Sequence, residues 1–171
     1  EAVGFARSIF RASHVSIAEL EPGGKSARIV RAVNPRKADP VQHQIKLGEG
    51  MCGRVLATGK ALLSPDPATG KPPEGYSHAK RFKTDSFASV PIFSSASEGA
   101  ELLGAINVAD KIGGLPFSER ALGLLAVLAR PHHGRVDHQP GHHRVLGGGV
   151  VAAGAGLDVA ARVQALVVAG H

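Results

Sequence analysis

The spacing of apolar positions changes several times along the chain, and each change predicts a different element. In EAVGFARSIFRA, Val3, Ala6, Ile9 and Phe10 recur at helical spacing, which predicts a short amphipathic helix whose apolar stripe needs a partner. The stretch SHVSIAELEPGGKSARIVRAV alternates Val15 and Ile17 with Ser16 and Ala18, breaks at Pro22-Gly23-Gly24 and resumes from Ile29 to Val33. A period of two on either side of such a turn predicts a β-hairpin. After a polar loop with two prolines, IKLGEGMCGRVLATGKALLSPD holds a brief helix between glycines, with Cys52, Val55 and Leu56 inward. Gly50 lets the chain turn in, and Gly59 suits the left-handed residue that closes a helix. Ala61 to Ser64 reads as a short strand.

From Pro65 to Asp85 the chain turns to Pro, Gly, Lys and single aromatics without a period. A loop that long inside a compact domain points to function or disorder. SFASVPIFS and ELLGAINVAD follow as two strands, apolar on both alternations and so covered on both faces. Pro91 has no N–H for a ladder, which places it at an edge or a bulge. In LPFSERALGLLAVLAR, Ser118 is the expected N-cap and Glu119 sits where the helix dipole favours negative charge. Ala121 to Ala129 is apolar on all sides, which predicts a buried helix packed on the opening one. The order of elements is that of an α+β domain with one mainly antiparallel sheet.

Composition narrows the class. With 171 residues, 43% of them hydrophobic and 20% charged, the chain has a globular balance for one domain and an appendage, and no apolar run approaches a membrane span. The chain opens on Glu1 with neither an initiating Met nor a leader, which reads as a piece of a longer protein. One cysteine, Cys52, closes no internal disulfide and fits a reducing cytoplasm. The net charge of +6 is scattered, and only Lys71, Lys80, Arg81 and Lys83 concentrate it. A solvated loop accounts for them better than a nucleic-acid surface.

Four segments then fall in a familiar order and spacing: LGEGMCGRVLATGKALLSPD, RFKTDSFASVPIF, LLGAINVADK and PFSERALGLLAVLA. Over residues 45–129 the chain resembles the GAF domain family, and its opening helix and hairpin are compatible with the same fold. The resemblance implies a central, mainly antiparallel sheet with the N- and C-terminal helices on one face and long loops over the other. It also implies a cytoplasmic sensory or regulatory module that is not itself an enzyme. Such a module binds a small molecule or forms a dimer through its terminal helices, and controls an attached signalling effector, without touching nucleic acid or membrane. The residues name neither the ligand nor a cofactor.

The implied pocket lies under the segment around Pro65 to Ser86, and Asp66, Tyr76, Phe82, Thr84, Asp85 and Ser86 are the candidates for its lining. Each has a plainer use. Tyr76 and Phe82 can pin the loop to the core, Asp66 can cap a turn beside Pro65, and Ser86 can simply begin a strand.

Three specialised branches of the family do not fit. The cyclic-nucleotide branch carries Asn-Lys, then Phe and a later Asp-Glu, whereas Asn107 precedes Val108, and Ala121 and Leu122 hold the later positions. Bilin binding needs a pocket cysteine, and Cys52 lies between Met51 and Gly53 on the small helix. Reduction of free methionine sulfoxide passes oxidation between two cysteines, a cycle that Cys52 alone does not complete. The plain expectation for Cys52 is a buried small hydrophobe.

Residues 131–171 differ in kind. They hold His132, His133, His138, His142 and His143 and use only nine residue types, all encodable by triplets that begin with G or C. Pro140 and Gly141 oppose a helix between His138 and His142, so their spacing lacks the geometry of a zinc pair. The restricted alphabet suggests a GC-rich coding sequence read in a shifted frame after residue 130. The alternatives to a ligand sensor are a ligand-free dimerisation module and a metal-binding protein that uses these histidines.

Overall fold

The computed structural model describes residues 2–33, 44–73, 82–95 and 97–130. Tyr76, Lys80, Arg81 and the whole histidine-rich tail, with the expectations attached to them, lie outside the described residues.

Helix α1 (Ala2–Phe10) leads into β1 (Ala12–Leu20) and β2 (Ser26–Val33), followed by β3 (Gln44–Lys46), α2 (Gly50–Thr58) and β4 (Leu62–Ser64). Strands β5 (Phe87–Phe93) and β6 (Leu102–Lys111) precede α3 (Glu119–Leu128). The strands form one antiparallel sheet in the order β3-β2-β1-β6-β5-β4. The predicted hairpin is present: Glu21 N–H donates to Ser26 O at 2.9 Å, and the turn passes through Gly23 and Gly24, both at positive φ. A bulge between Ile17 and Ala18 shifts the β1–β2 register. Pro91 sits in β5 beyond the reach of β4, which pairs only with Phe87–Ser89, so its missing N–H interrupts no ladder there.

Side chains directly opposite on neighbouring strands share a face of the sheet. Val15 with Val108, and Ile17 with Ile106 and Val90, form one face. These residues share a buried cluster with Ala6 and Phe10 from the α1 side and Leu125 and Ala129 from the α3 side. On the other face, Ala18 and Ala105 pack with Val55 and Leu56 of α2, and Phe87 and Ala109 pack with Met51. β6 runs between β1 and β5 and is buried from Gly104 to Asp110, as its two-sided apolar pattern predicts.

Gly104 owes its identity to this centre: a Cβ there would lie 2.1 Å from the Ala18 carbonyl oxygen on β1. Gly53 does the same service for α2, where a Cβ would sit 2.3 Å from Lys46 O. Gly59 closes α2 at φ 65°, with its N–H bonded to Val55 O. Ser118 caps α3 by accepting from Ala121 N.

Three expectations are corrected. Helix α3 is not buried all round: Leu125 is fully buried while Leu124 and Val127 are 45% and 51% exposed. A helix lying on one side of a single sheet buries one stripe, and apolar residues elsewhere on its surface stay in water. Ile9 likewise falls outside the buried stripe of α1, which consists of Val3, Ala6 and Phe10. Cys52 is half-buried rather than enclosed, because Met51, Gly53, Val55 and Leu56 take the inward positions of α2.

Candidate functional site

The segment between β4 and β5 leaves the sheet after Ser64 and rejoins it at Phe87, and these two residues are paired. Its ends are therefore neighbours, on the sheet face that carries α2. The candidate residues at its returning end converge on Asp110, a residue that the sequence pattern did not single out.

Asp110 sits near the end of β6 at φ 52°, a left-handed conformation that Asp tolerates better than most residues. Its N–H donates to Ser86 O at 2.9 Å. Its buried carboxylate accepts from Lys83 N (2.9 Å), Thr84 N (2.8 Å) and Thr84 Oγ1 (3.0 Å). His14 Nδ1 lies 3.2 Å from Asp110 Oδ2, brought there by the β1–β6 pairing of His14 with Ala109. Burial pushes the Asp110 carboxyl upward, but the Lys83 and Thr84 donors and the nearby His14 outweigh it, and the group is held below the usual aspartate range.

Thr84 and Ser86 thus serve the frame. Thr84 Oγ1 also accepts from Ser86 N at 3.2 Å, and Ser86 Oγ accepts from Phe117 N at 3.1 Å, fixing the approach to α3. Phe82 meets the His14 ring edge-on at 5.4 Å and Phe87 at 6.0 Å, so it pins the segment to the sheet. Asp66 caps a turn: its Oδ1 accepts from Ala68 N at 2.7 Å and its carbonyl from Gly70 N at 2.8 Å. Asp85 is exposed beside this cluster. Phe82, Thr84 and Ser86 are brought together, while Asp66 belongs to a separate turn at the departing end of the segment.

A second polar group crosses the middle of the same face. Asn107 on β6 is opposite Ser16 on β1 and Ser89 on β5. Ser89 Oγ donates to Asn107 Oδ1 at 2.6 Å, and Asn107 Nδ2 donates to Ser16 Oγ at 3.3 Å. This row is uncharged and deeply buried at Ser89 and Asn107. One strand over, the Ser64 hydroxyl is fully buried and meets no hydrogen-bond partner among the described residues. A polar residue in the middle of each of three apolar strands was the signal available in the sequence for the row. Asp110 and His14 gave none, since each sits beside another polar residue, Lys111 or Ser13, near a strand end.

Among the described residues no group of three or more His, Cys, Asp and Glu side chains is arranged to hold a metal ion. No helix among them is long and apolar enough to cross a membrane.

Solved structures with the same architecture include the GAF domain of a phosphoenolpyruvate-protein phosphotransferase from Coxiella burnetii. It has a TM-score of 0.58 and 19% identity, over 74% of this chain and 73% of that one. The corresponding domain from Acinetobacter gives 0.56 and 20%, over 74% and 72%. The free methionine-R-sulfoxide reductase of Neisseria meningitidis, solved with its substrate, gives 0.56 and 19%, over 74% and 68%. At these identities the likeness is one of fold. No curated protein matches the sequence. The GAF domain family itself matches residues 1–131, well over half of the chain, and the α+β fold with one antiparallel six-stranded sheet agrees with it. This chain belongs to the GAF family, whose members are typically sensory and regulatory domains of signalling proteins.

Proposed function

We propose that this GAF domain is a cytoplasmic, non-enzymatic sensor that binds a small molecule on the α2-bearing face of its sheet, at the root of the segment between β4 and β5. The observation that carries this reading is the Ser64 hydroxyl, fully buried and unpartnered among the described residues where that segment leaves the sheet. An unmade hydrogen bond at such a site costs about 1–3 kcal/mol, which a ligand oxygen or nitrogen would recover. The row Ser16–Asn107–Ser89 offers further uncharged contacts beside it, and Asp110 and His14 hold the returning end of the segment in place. A lone Cys52 on α2 supports binding over redox turnover.

Native mass spectrometry of the purified chain tests this. A small mass retained by the wild type and lost in Asn107→Leu supports the sensor. No retained mass, together with higher stability of Ser64→Ala, would leave the face a purely structural one.

Output would pass through the terminal helices. Phe5 and Ile9 on α1 are 40% and 42% exposed, and with Leu124 and Val127 on α3 they give each helix an uncovered apolar stripe. A second copy of the domain packed on these stripes would cover them and couple ligand occupancy to an attached effector. Occupancy changes output only if the ligand binds one arrangement more tightly than the other.

A further inference from the structure

The strands have a second open region, at the end of β5 remote from Asp110. Because β4 is three residues long and pairs only with Phe87–Ser89, the rest of β5 is left as a sheet edge. A cavity of about 600 Å³ lies between this edge, the C-terminal turn of α3 and the turn joining β5 to β6. Small-molecule sites span roughly 300–1,000 Å³, so the volume suits a metabolite.

The chemistry of the walls narrows the class. Pro91, Phe93, Ala126 and Ala129 present apolar surface. Ser95, Ser97 and the exposed Arg130 complete the lining as its polar members. Among the described lining residues none is acidic, and Arg130 is the one that carries a formal charge, in a largely apolar setting. A guanidinium there favours a planar carboxylate, with which it forms paired charge-assisted hydrogen bonds. An added peptide strand suits the edge less well, since Pro91 offers no N–H to a new ladder.

We propose that this cavity binds a small carboxylic acid with an apolar body, its carboxylate on Arg130 and its body against Phe93, Pro91 and the two alanines of α3. The site is separate from the Asn107 row and the Ser64 hydroxyl. Its occupant would bridge the last turn of α3 to the sheet edge, giving the domain a second chemical input on one of its output helices.

The test titrates octanoate, and octanamide as its uncharged twin, into the full 171-residue chain while amide chemical shifts are followed. Saturable shifts at Gly99, Ala100, Ala126 and Ala129 are expected with octanoate. Arg130→Gln, a change on an exposed side chain, should weaken octanoate roughly tenfold and leave octanamide unaltered. Ala126→Phe should fill the cavity and abolish both responses; if that variant does not fold, the Arg130→Gln comparison decides alone. Equal binding of octanoate and octanamide to the wild type overturns the proposal. So does the absence of a saturable shift, or shifts centred on Asn107 instead. A response of Val90 and Ile92 to an extended peptide, with none to octanoate, would make the edge a strand-docking surface and overturn it as well.

Discussion

The two faces of the sheet solve different problems with the same strands. Under α1 and α3, Val15, Ile17, Val90, Ile106 and Val108 form a face without a polar side chain at its centre. Under α2, the rows in between carry Ser16, Ser89 and Asn107, with His14 and Asp110 at one end. An apolar face gains from every buried methylene and tolerates no hole. A polar face contributes less net stability per contact, because each hydrogen bond replaces one made to water, but it holds directional groups in fixed places. The division concentrates apolar burial on one side of β6 and directional polar groups on the other.

The strongest way to break that contrast is at Ile106. Ile106→Ala should cost about 3 kcal/mol by opening a cavity among Ile17, Val90 and Leu125, read as a lower urea midpoint with an unchanged slope. A loss below about 1 kcal/mol would show that the apolar face is not the main store of stability.

Asp110→Asn should cost about 2 kcal/mol at neutral pH, since the carboxylate accepts from two backbone N–H groups and a hydroxyl. The pH dependence has a definite sign. The folded-state value of Asp110 is depressed, so its contribution is complete above the ordinary aspartate value of about 3.9 and disappears as pH falls through the folded value. Urea midpoints measured between pH 7 and pH 2 should therefore fall more steeply for the wild type than for Asp110→Asn. Parallel curves would remove Asp110 as an anchor of the returning segment.

Asn107→Leu keeps the volume and removes the amide, leaving the Ser16 and Ser89 hydroxyls to find other partners. It should cost about 1 kcal/mol in thermal unfolding. Its effect on retained ligand should be far greater than on stability, and the opposite ranking would reverse the assignment of the two faces.

Smallest in stability is the paired change Phe5→Glu with Leu124→Glu on the exposed helix stripes. It should leave unfolding of the isolated domain within about 0.5 kcal/mol of the wild type while converting a dimer to a monomer in sedimentation velocity. A dimer that survives both charges would place the interface elsewhere.

Much of the frame was legible because local chemistry wrote it. Pro22-Gly23-Gly24 set the hairpin, Gly59 and Ser118 marked the ends of two helices, and Pro91 pointed to an edge. What the chain could not show in one dimension is which apolar residues a neighbour covers. Ile9, Leu124 and Val127 read as core, yet one sheet face covers only one stripe of each helix. The candidate lining residues were placed only in part by their position in the chain. Phe82, Thr84 and Ser86 do converge, but on His14 and Asp110, which meet only because β1 pairs with β6. Asp66 took the plainer role of a turn cap, and Asn107, noticed only as a broken signature, turned out to bridge three strands.

Among the described residues the outermost strands, β3 and β4, span three residues each, and β3 ends in the exposed Lys46. Chains that stack edge to edge into fibrils need long, flat borders with rows of open backbone groups, and borders this brief give little purchase for such growth. At these two borders, growth into endless ribbons is thereby disfavoured.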